Sequence, residues 1–179
     1  MKGKGKAMKS DELRAMQAPL KQRYREEPEA AMITLKAEGR LGEGITCSVQ
    51  TGKAPVEAGL HPATGGSGLL ACSGDMLLEA LVACAGVTLL SVATAIGVEV
   101  RDGQVQAEGQ LDFRGTLSVG ADVPVGFQRI TLRFDLDTDA SDEQLATLIR
   151  LTERYCVVYQ TLRQPPEMLV TPRRAALRE

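Results

Sequence analysis

The stretch SGDMLLEALVACAGVTLLSVATAIGVEV, residues 73–100, decides the fold, because it predicts a long apolar helix that carries Cys84 near its middle. Leu77, Leu81, Cys84 and Thr88 recur at spacings of four, three and four residues, so one helical face presents a thiol among apolar groups. Free cysteine is among the most frequently buried residue types. On periodicity alone, structural burial is therefore the plainer interpretation of Cys84.

The ends and the surroundings of this helix also follow from the sequence. Ser73 or Asp75 is expected to cap its start, and Gly97 suits the position just past its end. The run from Leu81 to Val98 is uncharged and about as long as a short membrane span. Glycine and hydroxyl residues dilute its hydrophobicity and alternating strands follow it, so we expect a buried helix of a soluble oligomer and no membrane partner.

The segment ASDEQLATLIRLTERYCVVYQTL, residues 140–162, predicts a second helix. Its start is marked by a capping box, in which Ser141 is followed three residues later by Gln144. Apolar and small positions recur with helical spacing up to Cys156, which is therefore expected on the face towards the core. Each helix would direct a cysteine inward, and a disulfide between Cys84 and Cys156 needs Cα atoms within about 7 Å.

Strand-like alternation flanks both helices. It is found in MITLKAEGRLGEGITCSVQTG (32–52), VEVRDGQVQAEGQLDFRGTLSV (98–119), GFQRITLRFDLDTD (126–139) and a last short segment, EMLVT (167–171). The order is strands, helix, strands, helix, strand, without the alternation that parallel βαβ units require. This order predicts an α+β domain with antiparallel strands.

The expected domain organisation is simple. Residues 1–31 should form a charged N-terminal arm, partly disordered or helical, and broken near Pro19 and Pro28. Residues 32–179 should form a single domain, which a chain of 179 residues is long enough to pack around one core.

Composition excludes several classes of function. The formal net charge is -2 and the chain has three Phe, three Tyr and no Trp, so nothing favours a nucleic-acid partner. The four cysteines form no CxxC motif and His61 is the only histidine, so the sequence predicts no metal site and no cofactor. The basic N-terminus lacks the apolar core of a signal peptide, and we expect a cytoplasmic protein with reduced thiols.

The segment GDMLLEALVACAGVTL (74–89), followed by paired strands and LTERYCVVYQTL (151–162), resembles the OsmC/Ohr family of thiol-dependent hydroperoxide reductases, and in particular its OsmC-like branch. That family has a Gly-Gly loop before a leucine-rich helix with an Ala-Ala-Cys or Ala-Gly-Cys step, and a second helix that ends in a Cys-Pro-Val-type segment. The loop here is HPATGGSG (61–68). The resemblance covers about residues 32–170 and implies an OsmC-like fold, with antiparallel sheets wrapped around two central helices.

The resemblance also implies an activity and an assembly. The protein would be an intertwined homodimer with each site at the subunit interface. Cys84 would be the peroxidatic thiolate, which attacks the O–O bond of an organic hydroperoxide and becomes a sulfenic acid. Cys156 would be the resolving thiol, and an external dithiol would reduce the resulting disulfide.

A cysteine in apolar surroundings has a raised pKa and needs a nearby cation to become a good nucleophile. The family's Ohr members use an arginine in an early Gly-Gly-Arg turn, which AEGRLGEG (37–44) matches in part, so the resemblance assigns this role to Arg40. An exposed turn arginine is the plain alternative. The other candidate cations are Arg23, Arg25 and Arg154.

The sequence departs from the family at the entrance of the first helix. The family commonly has a Pro-Glu pair there, whose glutamate orients the arginine, whereas this chain has SGDM (73–76). Asp75 is the expected substitute, and Glu79, one turn further on, is the second. Val157 also replaces the proline of the Cys-Pro-Val segment.

Several roles stay open at this point. His61, in the loop before the helix, is a candidate general base, and Cys72 is a third thiol that could join disulfide exchange; structural roles are the plain alternatives for both. A second function is a non-catalytic or weakly catalytic dimer that binds a hydrophobic small molecule at its interface. A third is an interaction protein whose charged N-terminal arm binds a partner.

Overall fold

The computed structural model describes residues 10–41, 47–49 and 58–172, with side chains for 15–33 and 58–172. The elements are α1 (Ser10–Glu26), β1 (Met32–Leu41), β2 (Cys47–Val49), α2 (Ser73–Ile96), β3 (Asp102–Asp112), α3 (Phe113–Thr116), β4 (Phe127–Asp137), α4 (Asp142–Tyr155) and α5 (Val157–Arg163). Short 3-10 turns at Pro28–Ala31 and Pro62–Thr64 precede β1 and α2.

The strands form one antiparallel sheet in the order β2-β1-β3-β4. Along the central strand β3, Val105, Ala107 and Leu111 are buried and alternate with more exposed polar residues. This period of two gives the sheet one apolar face, because successive side chains of a strand point to opposite sides. The α+β fold with antiparallel strands is confirmed.

Helix α2 covers the apolar face of the sheet and forms the centre of the core. It packs on β1 and β3 and against α4 and α5. Leu78, Val82, Ala85 and Leu89 have no exposed surface, and they follow one another at helical spacing. The apolar run around Cys84 is therefore a core helix, as its sequence predicts.

By length and composition alone, α2 could also cross a membrane; among the described residues it is the one helix that passes this test. The core helix of a soluble protein passes the same test, and half of the most apolar window of α2 is buried within this chain. Its packing on the sheet accounts for its hydrophobicity without a bilayer.

The first helix is continuous where a break was expected. Helix α1 passes through Pro19 and ends at Glu26, just before Pro28. Contacts on both sides of Pro19 hold it to the turn before α2: the Gln17 amide donates to the Thr64 carbonyl at 3.4 Å, and the Tyr24 hydroxyl donates to the Ala63 carbonyl at 2.6 Å. These contacts offset the hydrogen bond that proline cannot make, so the predicted break at Pro19 is wrong, whereas the one at Pro28 is confirmed.

The second predicted helix consists of two. Helix α4 ends at Tyr155 and α5 begins at Val157, because Cys156 adopts an extended conformation with φ -71° and ψ 108°. The capping box is present: the Ser141 hydroxyl accepts from the Gln144 N–H at 3.3 Å, and the Gln144 side chain accepts from the Ser141 N–H at 2.9 Å. The helix start was predicted correctly, and the single continuous helix was wrong.

The predicted last strand is also absent from the described chain. Residues 165–172 have no regular secondary structure, and Met168, Leu169 and Val170 are between 82% and 89% exposed. A strand exists only when a second strand supplies hydrogen-bond partners. Within residues 10–41, 47–49 and 58–172 no strand pairs with the segment, which accounts for its lack of regular secondary structure.

The two ends of α2 differ in how they match the sequence. Gly97 ends the helix in the left-handed region with φ 71°, as predicted. At the start, the capping position belongs to Cys72, which makes no side-chain capping hydrogen bond. The expectation that Ser73 or Asp75 caps the helix is therefore wrong, since both lie inside its first turn.

These two helix starts make a testable pair. We expect Ser141→Ala to lower the free energy of unfolding by about 1 kcal/mol, because it removes the acceptor of a capping box. Ser73→Ala should cost less than about 0.5 kcal/mol, because Ser73 caps nothing. Urea denaturation at one protein concentration measures both, and equal losses would contradict the assignment of the caps.

Candidate active site

The fold brings Cys84 of α2 and Cys156 together. Their side chains form a hydrogen bond, in which the Cys156 thiol donates to the Cys84 sulfur. Both are free thiols, Cys84 half-buried and Cys156 fully buried. The pair predicted from two separate helices therefore meets inside one chain.

The junction between α4 and α5 provides the surroundings of the pair. Cys156 ends α4 and begins α5, and its sulfur accepts a hydrogen bond from the Tyr159 N–H at 3.4 Å. The N–H groups of Val157 and Val158 donate to the sulfur of Cys84. The first N–H groups of a helix have no partner within it, so the break at Cys156 frees these donors.

The two thiols have opposite pKa shifts. Burial acts to raise the pKa of Cys84, but hydrogen bonds from the Val158 N–H, the Cys156 thiol, the Thr88 hydroxyl and the Val157 N–H outweigh it and lower that pKa. Burial, strengthened by the charge on Cys84, raises the pKa of Cys156 to about 11. Within the pair, negative charge is therefore favoured on Cys84 over Cys156.

Three of the four candidate arginines have described side chains, and none of the three is among the groups that shift the pKa of Cys84. Arg40 lies in β1, where its backbone pairs with Gln104 and with Ser48; its side chain is outside the described part of the structure. Arg23 is bound to Glu27 within α1 at 3.6 Å, and Arg25 is exposed in the last turn of the same helix.

The fourth candidate, Arg154, contacts an aromatic ring. It is exposed, and its guanidinium carbon lies 5.4 Å from the centre of the Tyr155 ring. Among the described side chains and backbone groups, the donors that lower the pKa of Cys84 are uncharged. The sequence predicts a cation beside Cys84, whereas two of these donors are backbone N–H groups, which the sequence does not reveal.

Asp75 and Glu79 form a carboxylate pair one turn apart on α2. Burial raises the pKa of Asp75, and His61 partly offsets this; burial, and then the charge of Asp75, raises the pKa of Glu79. Asp75 precedes Cys84 by nine residues, about 13 Å along a helix axis. The Asp75 carboxylate therefore cannot contact the Cys84 thiol directly. It can act on the thiol only through a long side chain that lies between them.

His61 fixes the loop before α2. Its Nδ1 accepts a hydrogen bond from the Ala63 N–H at 3.0 Å, and its ring stacks on Phe113 with 4.9 Å between ring centres. Both contacts are structural. They hold the 3-10 turn that also receives α1.

Cys72 is remote from the pair. It lines a cavity of about 420 Å³ together with His61 and Phe113, and it precedes Cys84 by twelve residues, about 18 Å along a helix axis. Cys72 is therefore a thiol that shares the helix entrance but not the site. Within the described ranges, no group of three or more His, Cys, Asp or Glu residues could hold a metal ion.

Two further cavities are lined by residues close in sequence to the pair, although neither Cys84 nor Cys156 lines them. One, of about 410 Å³, is lined by Val87, Thr88, Ser91, Val92, Ala95 and Tyr155. The other, of about 590 Å³, lies between β4 and the α4–α5 segment and is lined mainly by apolar side chains, including Leu81, Phe134 and Leu162. The larger cavity also presents the charged side chains of Arg129, Glu153 and Arg163, and both volumes are in the range of small-molecule sites.

These features define a small α+β protein that holds two interacting thiols between its main helices. The family model described as OsmC-like protein matches residues 66–170, and the chain belongs to that family. No curated protein was found to match the sequence.

Two solved structures share the fold. An OsmC-like hydroperoxide resistance protein from Jannaschia sp. CCS1 has a TM-score of 0.57 and 15% identity, with 77% of this chain and 91% of the other covered. An OsmC-like protein from Mycoplasma pneumoniae has a TM-score of 0.53 and 16% identity, with 75% of this chain and 86% of the other covered. Both likenesses show the fold.

The opposite pKa shifts can be tested by alkylation of the reduced protein. Because the pKa of Cys84 is lowered, its reaction with iodoacetamide should reach half its maximal rate at a lower pH than that of a free thiol. Cys156→Ala removes one donor and should raise this midpoint. Peptide mass spectrometry measures the alkylation rate of Cys84 in both proteins from about pH 5 to about pH 10, a range that includes the ordinary thiol pKa. An unchanged or lower midpoint in Cys156→Ala would refute the arrangement.

Proposed function

We propose that this protein is a thiol-dependent peroxidase that reduces organic hydroperoxides and serves in defence against oxidative stress. The observation that carries the proposal is the hydrogen-bonded pair of Cys84 and Cys156, with a thiolate favoured on one and a proton on the other. The Jannaschia protein with the same fold is a hydroperoxide resistance protein, which supports the same reaction class.

In the first step, the Cys84 thiolate attacks the terminal oxygen of the hydroperoxide. The S–O bond forms, the O–O bond breaks, and the alkoxide takes a proton and leaves as an alcohol. Cys84 becomes a sulfenic acid, so its sulfur is oxidised by two electrons while the peroxide is reduced.

In the second step, the Cys156 sulfur attacks the sulfenic sulfur. The S–S bond forms, the S–O bond breaks, and hydroxide leaves as water with the proton of Cys156. An external dithiol then reduces the disulfide by two electrons. The order of events follows from the pKa of Cys156, because the charge on Cys84 that helps to raise it disappears when Cys84 becomes a neutral sulfenic acid.

Arg40 and Asp75 complete the proposed catalytic set. Arg40 would add a positive charge near the Cys84 thiolate, and Asp75 would orient it, with Glu79 as the second candidate. The raised pKa of Asp75, caused first by burial, supports a carboxylate that gains from a cationic partner. Asp75 and Cys84 are about 13 Å apart along α2, which leaves room for an arginine side chain between them.

We further propose a cytoplasmic homodimer with its sites at the subunit interface. Three apolar side chains near the cysteine pair are exposed in the single chain: Val87 by 39%, Tyr155 by 56% and Val157 by 71%. Exposed apolar groups clustered near a reactive thiol favour burial by a partner, and a second copy would also exclude water from the site.

A second function is supported by the cavity of about 590 Å³ between β4 and the α4–α5 segment. Its volume is in the range of small-molecule sites. The protein would then bind a hydrophobic small molecule, and the cysteines would be catalytically weak. A peroxide assay separates the two functions.

With cumene hydroperoxide and dithiothreitol as the reductant, we expect the wild type to consume peroxide and Cys84→Ser to lose at least about 99% of that activity, because Cys84 is the proposed attacking thiol and the pKa of its neighbour Cys156 is raised. Cys156→Ser should still react once but form no intramolecular disulfide. Stopped-flow peroxide consumption and disulfide mapping by mass spectrometry measure the two effects.

Cys72→Ser is the matched control, since Cys72 precedes the first residue of the same helix and lies outside the pair, and its activity should equal that of the wild type. If the wild type consumes peroxide no faster than Cys84→Ser, the peroxidase proposal fails and the binding function remains.

In the same assay, Arg40→Gln should lower kcat/KM about tenfold or more through loss of charge, and Arg40→Lys should lower it less.

The homodimer is tested by sedimentation. We expect the full chain to sediment as a dimer at micromolar concentration, and Val157→Asp together with Val87→Asp to shift it towards monomer, because charges would be buried at the contact. The control is Arg133→Asp, at an exposed position on β4, which should leave the sedimentation unchanged. The assembly is contradicted if the wild-type protein is still a monomer at roughly 100 micromolar, which is about a hundred times a micromolar dissociation constant.

A further inference from the structure

Thr88 is a hydroxyl residue that faces Cys84 from within the same helix. It follows Cys84 by four residues, so the two side chains lie one above the other on one face of α2. It is half-buried, and its hydroxyl is hydrogen-bonded to the Cys84 sulfur. The hydroxyl therefore touches the atom that would react with peroxide.

Other mid-helix threonines of this protein use their hydroxyls differently. The Thr94 hydroxyl donates to the carbonyl of Leu90 at 2.8 Å, and the Thr152 hydroxyl donates to the carbonyl of Leu148 at 2.8 Å. A bond to the carbonyl four residues back is the usual local choice for threonine in a helix. Thr88 bonds to the side chain four residues back instead, so its hydroxyl serves the thiol.

Thr88 also stands at the wall of a cavity. Its side chain lines the space of about 410 Å³ that is bounded by Val87, Ser91, Val92, Ala95 and Tyr155. These residues are apolar or small, and none carries a charge. A molecule in this cavity would lie against the Thr88 side chain, which separates it from Cys84, since Cys84 itself does not line the cavity.

We propose that Thr88 is a catalytic residue and that the cavity beside it receives the apolar group of an alkyl or aryl hydroperoxide. The hydroxyl donates to the Cys84 thiolate before the reaction, and to the departing alkoxide oxygen as the O–O bond breaks. Solvent supplies the proton that completes the alcohol, so the threonine hydroxyl is unchanged at the end. The inference rests on the proposed peroxidase function for its substrate, but not for the contact between Thr88 and the thiol.

The first test needs no peroxide. Thr88→Val keeps the size and branching of the side chain but removes the donor, so the pH at which Cys84 reacts with iodoacetamide at half its maximal rate should rise. A hydrogen bond to a charged group accounts for about a tenfold change in an equilibrium constant or more, which corresponds to a rise of about one pH unit or more. Thr88→Ser restores the hydroxyl and should restore the wild-type profile.

Thr94→Val is the matched control, because it makes the same change on the same helix where the hydroxyl bonds only to Leu90. Its profile should equal that of the wild type. If Thr88→Val does not fold by circular dichroism, Thr88→Ala replaces it. A wild-type profile in Thr88→Val, or a failure of Thr88→Ser to restore it, would overturn the role of the hydroxyl.

The second test addresses the cavity. Ala95→Leu fills part of the space without changing the hydroxyl, so it should raise KM for cumene hydroperoxide several-fold and leave both KM for hydrogen peroxide and the alkylation profile unchanged. Equal effects on the two peroxides would refute the cavity as the site of the apolar group. If Cys84→Ser retains peroxidase activity, the proposed function fails, and the alkylation profiles still decide the role of Thr88.

Discussion

The contact between the Cys84 and Cys156 sulfurs is the interaction on which the candidate site depends. It forms because α2 is buried between the sheet and the α4–α5 segment, which fixes one thiol from each side. Neither sulfur would have its present pKa alone, since each hydrogen-bonds to the other and their shifts are opposite. The pair is thus a property of helix packing, although each cysteine belongs to a separate element.

The break between α4 and α5 has a chemical consequence. An uninterrupted helix would use the N–H groups of Val157 and Val158 for its own hydrogen bonds. The extended conformation of Cys156 releases them, and they donate to the Cys84 sulfur. Backbone donors at a helix start favour negative charge without a charged side chain, so the site lowers the pKa of a half-buried thiol with uncharged groups alone among the described residues.

Much of the fold could be predicted from local patterns. The capping box at Ser141, the end of α2 at Gly97 and the alternating strands were all readable, because each depends on residues that are close in sequence. The predictions that were wrong depend on distant residues. The helix through Pro19 is held by the turn at Ala63 and Thr64, and the EMLVT segment has no strand partner in the part of the chain that the structure describes.

The sequence by itself determined where α2, the start of α4 and the alternating strands form, and that α2 carries a cysteine within its apolar run, because side-chain periodicity and caps act over a few residues. Only the tertiary structure decided that the two thiols meet and which one holds the charge. The N–H groups of Val157 and Val158 lie 73 and 74 residues beyond Cys84 in the chain, and the Thr88 hydroxyl could equally have bonded to its own backbone. These donors reach one sulfur only when the helices pack, which no local pattern records.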